Sequence, residues 1–300
     1  MAAHAKLKYA IPERYLLEEP NIPPYWVNEV EAVERFLQRT VKRGTVSILG
    51  RTAGNREIPV VSYGSARKGE GTSTYSGSMG YGDVRAYLGP DWRRKVYCAL
   101  VAVHGGEFEG IVGAVNLISV LETGADLRGR PWPALTKAAA EVDRILVIPI
   151  FNVDGRARVP HRMIRHQGTD ETIHEYFNTG GKPDGSLIGW PECKRNIPLD
   201  FSTTQFPGGY PNDAGVNVQH DDFLGHPQPE TRALLTMTAE ERPDLIVNMH
   251  TGADFMHPLR PQTEPALDPV YDAFYRRVLT ALTRAGMQRS DDPAATANPE

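Results

Sequence analysis

One stretch constrains this chain more than any other: Val96 to Gly110, reading VYCALVAVHGGEFEG. Val96, Cys98, Leu100, Val101 and Val103 form a near-continuous apolar run of strand length, the pattern of a strand covered on both faces in a parallel sheet. His104 opens the turn, and Gly105 and Gly106 permit a tight or left-handed path. Ile111, Val112, Val115 and Ile118 then recur at the spacing of an amphipathic helix. Strand, turn and helix form the unit of an α/β fold, in which ligands gather beyond the carboxyl ends of the strands. An imidazole nitrogen and a carboxylate oxygen at this short separation, His104 and Glu107, suit Zn²⁺, which at a catalytic site takes three protein ligands and keeps one position open. By itself a His-x-x-Glu is more often a polar loop with a capping glutamate. Pro243 to Gly252, PDLIVNMHTG, supplies a third candidate ligand. Leu245 to Met249 is a second short apolar run, and His250 closes it as His104 closes the first.

Five segments in fixed order, HGGEFEG, PIFNVDGR at Pro149 to Arg156, GVNVQHDDF at Gly215 to Phe223, PQPETRAL and NMHTG, resemble the zinc carboxypeptidase family, carboxypeptidase A type. The resemblance runs from about Thr45 to Gly252. It implies a mixed, mostly parallel twisted central sheet flanked by helices, an α/β/α arrangement, and a zinc-dependent hydrolysis of peptide bonds. It also implies one Zn²⁺ ion held by His104, Glu107 and His250, and a peptide or peptide-like substrate. HRMIRHQ at His161 to Gln167 matches the stretch that carries the arginine polarising the scissile carbonyl, which would be Arg165. A fixed guanidinium beside the metal stabilises the oxyanion formed as water adds. Arg156, Arg158 and Arg162 compete for that role. Where the family carries an Asn-Arg pair that grips the substrate's terminal carboxylate, this chain has Gln219 and His220. Histidine, mostly neutral at pH 7, offers less than arginine's permanent bidentate fork, so altered carboxylate recognition is expected. Arg195, in KRNIPLDF, is the alternative carboxylate-binding residue, and His257, in ADFMHPLRP, is a candidate substrate contact. Asn217 falls where an outer hydrogen-bond partner for the first zinc histidine is expected.

Two other functions fit the same motifs: a small acyl-amide deacylase of the aspartoacylase type, and a non-catalytic zinc-containing module that binds peptides. Composition narrows the field from another side. A formal net charge of −4 over 300 residues gives no basic excess for nucleic acid or an anionic membrane. The N-terminus has no signal-like apolar core and no apolar run reaches bilayer length, so a cytoplasmic protein is expected. The chain's two cysteines, Cys98 and Cys193, give neither a disulfide framework nor a metal cluster.

Along the chain, residues 1–23 read as an extended, proline-punctuated arm, and 24–300 as a single catalytic domain. Trp26, Val30, Val33, Leu37 and Val41 are spaced as a helix. Thr45 to Leu49 and Glu57 to Tyr63 read as an antiparallel hairpin around a Gly-Asn turn. Residues 64–92 read as a loop with a short helix near Asp83 to Leu88, Ala134 to Val142 as a helix, and Arg144 to Phe151 as a buried strand followed by a turn at Asn152 to Gly155. Arg158 to Asn212 is long, polar and aperiodic, the kind of loop that is functional or disordered. Gln228 onward is a helix facing the core with Ala233, Leu234 and Met237. A last helix starts at Asp268, ends at Gly286, and presents Val270, Phe274, Val278 and Leu282 as a core stripe. The family's general base, a glutamate on a later strand, has no match among the carboxylates after His250. The expectation is therefore a domain lacking its last strands, with that base beyond residue 300.

Overall fold

The computed structural model describes residues 9–69, 88–164, 172–194, 197–219, 221, 227–251, 265 and 268–286. The chain divides into two compact units, Met1–Thr251 and Gly252–Glu300. The first unit is an α/β layer structure on one mixed sheet. Its strands are β1 (Thr45–Arg51), β2 (Glu57–Gly64), β3 (Val96–Val101), β4 (Arg144–Ile148) and β5 (Leu245–Met249). Its helices are α1 (Val30–Thr40), α2 (Phe108–Thr123), α3 (Pro133–Ala139), α4 (Val153–Arg158), α5 (Ile173–Thr179) and α6 (Pro229–Glu241).

The sheet order is β1-β2-β4-β3-β5. β1 with β2 and β2 with β4 run antiparallel, whereas β3 runs parallel to both β4 and β5. This topology positions the site. Leu100 pairs with Asn248 and Val101 with Met249, so the carboxyl ends of β3 and β5 finish side by side at one edge of the sheet. Val96, Cys98, Leu100 and Val101 are buried, as a strand covered on both faces requires. Ile111, Ala114, Val115, Ile118 and Leu121 of α2 pack in the same cluster. α2 ends where Gly124 takes φ 83°, a left-handed cap that costs glycine no steric clash.

A second cluster lies behind the β3–α2 turn: Ile11, Tyr15, Phe108, Val159, Ile173, Tyr176, Phe177 and Phe206. Residues 9–23 contribute to it, because a 3₁₀ turn at Glu13–Tyr15 buries Tyr15 in a stack 4.0 Å from Tyr176. The hairpin β1–β2 forms as the sequence indicates. Helix α1 begins only at Val30, and the Trp26 indole instead donates to the Arg162 carbonyl at 2.6 Å.

Several boundaries differ from the sequence reading, each for a local reason. β3 stops at Val101 because Ala102 turns into the left-handed region, φ 54°. That turn lets Val101 and Ala102 accept from the Phe151 and Asn152 amides. Phe151 therefore lies past the end of β4, in the exit that pairs with β3. The segment after it is a short helix rather than a turn, capped by Asn152, whose Oδ1 accepts from Gly155 N at 2.8 Å. The segment read as loop from Arg158 to Asn212 contains α5, whose Ile173, Tyr176 and Phe177 reach the second cluster. Most of the Asp83 to Leu88 segment lies outside the described residues.

In the second unit, the helix Asp268–Arg284 (α7) is the one regular element among the described residues. Val270 and Phe274 stand exposed and Leu279 is the buried residue, so the expected core stripe is not one. Among the described residues, no helix of either unit is long and apolar enough to cross a membrane.

Candidate metal centre

The turn after β3 is built by close backbone approach. A Cβ on Gly105 would sit 2.0 Å from Arg156 N, and one on Gly106 would sit 2.4 Å from Asn178 Oδ1 and 2.8 Å from Phe177 O. Only glycine lets α4 and α5 close on both sides of the turn. Gly105 N donates to Gly209 O at 2.8 Å, and Gly209 N donates to Phe177 O at the same distance. The turn is thereby fixed before any side chain acts.

His104 and Glu107 project from this turn and His250 from the end of β5. One ligand atom from each lies within 4.8 Å of the others. His104 Nδ1 is 2.8 Å from Glu107 Oε1, and His250 Nδ1 is 3.1 Å from Glu107 Oε2. The two imidazole centroids are 5.0 Å apart. Tetrahedral zinc with bonds of ~2.0–2.1 Å sets its donors about 3.3 Å from one another. The two separations to Glu107 fall about 0.2 to 0.5 Å short of that and the three ligand atoms all lie within 4.8 Å of one another, a donor set of the kind and size that such an ion takes.

The electrostatics agree with the chemistry of the donor set. His104 is 5 % exposed, and its burial pushes the imidazole pKa down, against the pull of the Glu107 carboxylate. The neutral, coordinating form is thus favoured. Burial alone would raise the Glu107 carboxyl, but hydrogen bonding and charge from His104 and His250 outweigh it and bring the group to about 2. Glu107 stays an anion between two imidazoles. His104 Nε2 and Asn217 Nδ2 are buried without a hydrogen-bond partner among the described residues, and Asn217 Oδ1 accepts from Gln219 N at 3.0 Å.

Gln219 is partly buried beside Asn217. Arg165, Arg195, His220 and His257 lie outside the described residues. The three arginines that compete with Arg165 are all committed. Arg156, 2 % exposed, donates to the carbonyls of Asn28, Val159 and His161 and lies 4.6 Å over the Phe108 ring. Its burial lowers its pKa to about 10. Arg158 donates to Gly208 O and Pro211 O and pairs with Asp213, and Arg162 pairs with Glu18. Sequence reasoning missed two contributors. Tyr210 stacks on His104 with centroids 3.9 Å apart, and Thr251 N donates to Glu107 Oε2 at 3.2 Å. No spacing ties Tyr210 to His104, since it sits in the aperiodic segment; Thr251 was visible only as the small residue after His250.

No family model and no curated protein matches this chain. Solved structures do resemble it. A protein of Burkholderia mallei assigned as a carboxypeptidase aligns at TM-score 0.49 and 15% identity, over 83% of this chain and 47% of its own. A metallo-carboxypeptidase of Burkholderia cenocepacia aligns at 0.43 and 14%, over 79% and 47%. Carboxypeptidase A of Helicoverpa armigera aligns at 0.46 and 12%, over 89% and 56%. The likeness is one of fold, at low identity, and the chain spans about half the length of the first two of these relatives.

Proposed function

We propose that this chain carries the metal centre of a zinc-dependent hydrolase of peptide (amide) bonds, carboxypeptidase-like, with altered recognition of the substrate's terminal carboxylate. The convergence of His104, Glu107 and His250 from two parallel strand ends carries the reading. These three would hold one zinc ion, which when bound lowers the pKa of its water toward ~7 and polarises the scissile carbonyl. Glu107, anionic and buried, supplies the charge of the site, and His104, stacked on Tyr210, keeps one ring orientation. Asn217 serves as the outer partner of His104, its Oδ1 accepting from Nε2–H, a donor buried without another partner among the described residues. Arg165 takes the oxyanion, a reading supported by the structural engagement of Arg156, Arg158 and Arg162. Gln219, His220, Arg195 and His257 contact a peptide-like substrate.

The test is metal analysis of the purified chain against His250→Ala and Glu107→Ala. One zinc per chain in the wild type, lost in both variants, is the expected outcome. Zinc retained in both variants, or none in the wild type, would sink the reading. On zinc-loaded protein that also carries the later strands expected to bring the general base, peptides with free and blocked C-termini set beside N-acyl amino acids separate peptidase from deacylase action, and bound zinc with peptide affinity but no turnover there marks a binding module.

A further inference from the structure

We propose that Thr251 is a positioning residue for this metal centre, acting as a bridge between two carboxylates at the start of α2. The inference rests on the zinc reading above. The ladder between β3 and β5 ends at Val101 and Met249, so His250 stands just past the last paired residue. β5 is also the outermost strand of the described sheet, with Leu245 and Ile246 exposed. On the upstream side His250 is held by that ladder. Downstream, Thr251 N donates to Glu107 Oε2 at 3.2 Å, and Thr251 Oγ1 donates to Glu109 Oε2 at 2.9 Å. The amide bond ties the strand end to a ligand; the hydroxyl bond ties it to the first turn of the helix that follows that ligand. With residues on both sides of His250 held, its imidazole is kept facing Glu107, where Nδ1 lies 3.1 Å from Oε2.

Neither Thr251 Oγ1 nor Glu109 belongs to the donor set, and their mutual bond is exposed. A surface hydrogen bond adds little to global stability, whereas an outer partner that orients a ligand typically changes metal affinity by about 10–100-fold. The two effects are therefore separable by experiment.

Zinc affinity is measured by competition with a chromophoric chelator, the visible bands of the Co²⁺-substituted protein are recorded, and the melting of each apo protein is followed by circular dichroism. Thr251→Val and Glu109→Met, which removes the acceptor at similar size, are each expected to weaken zinc about tenfold and to shift the cobalt bands, with apo melting unchanged. Thr251→Ser, which keeps the hydroxyl, restores wild-type affinity and spectrum. The double variant is no weaker than either single one, because both remove the same bond. Wild-type affinity in both Thr251→Val and Glu109→Met overturns the inference and leaves the metal centre standing. A weakened Thr251→Ser overturns it too. A wild-type protein that takes up no zinc overturns the metal centre itself.

Discussion

Single side chains in this molecule do work that their type alone does not announce. Glu122, near the end of α2, is a capping-like hub. It accepts from the backbone amides of Lys42, Arg43 and Gly44 and from the Tyr63 hydroxyl, all at 2.8–3.0 Å. Burial acts to raise its carboxyl, but these donors prevail and hold it below the ordinary carboxylate value. A depressed folded pKa means that the unfolded chain takes up the proton first as pH falls. The stabilisation is thus full above the ordinary value of about 4.3 and fades as pH drops through the folded value. Glu122→Gln should cost ~1–3 kcal/mol at neutral pH, and the gap to wild type should close in acid. Urea unfolding at a series of pH values reads it; a gap that is constant with pH would contradict the assignment. The sequence flagged His104, Glu107 and His250 as ligands because imidazole and carboxylate announce their own chemistry. It could not flag Glu122, since a glutamate at the end of an amphipathic helix looks like any solvated charge.

At the scale of elements, the turn between β3 and α2 is the part that tolerates least change. A methyl group on Gly105 meets the backbone of α4, which has no flexible end to yield. Gly105→Ala should destabilise on the order of 3 kcal/mol. Gly113, on the outer face of α2, has nothing within 4 Å of a built Cβ. Gly113→Ala should instead stabilise by roughly 0.5–1 kcal/mol, the helix-propensity difference. Denaturant midpoints of the two variants test both signs together. The periodic elements, β3, α2 and the β1–β2 hairpin, were legible because each buries a face whose repeat is written in the residues. α4 and α5 were not. Each is a short helix whose formation depends on contacts from elsewhere: the Asn152 cap and Gly209 for one, the Tyr15 stack for the other.

For the molecule as a whole, a metal held by β3–α2 on one side and β5 on the other would bind the folded chain and not the unfolded one. Free zinc at about a thousand times its dissociation constant should then add ~4 kcal/mol of stability. The wild-type melting temperature should rise with zinc and fall on chelation, whereas His250→Ala should show neither change. An equal response in the variant would place the stabilising ion elsewhere. What the sequence by itself determined was the class of fold, the helix and strand faces, and the chemical character of three ligands, because periodicity and side-chain chemistry are local properties. Only the tertiary structure decided that β5 lies beside β3 in parallel register, that Gly105 and Gly106 are packed between two helices, and that Tyr210 and Thr251 reach the ligands. Those outcomes depend on which distant segments share hydrogen bonds and buried area, a choice made by the competition of the whole chain for one core.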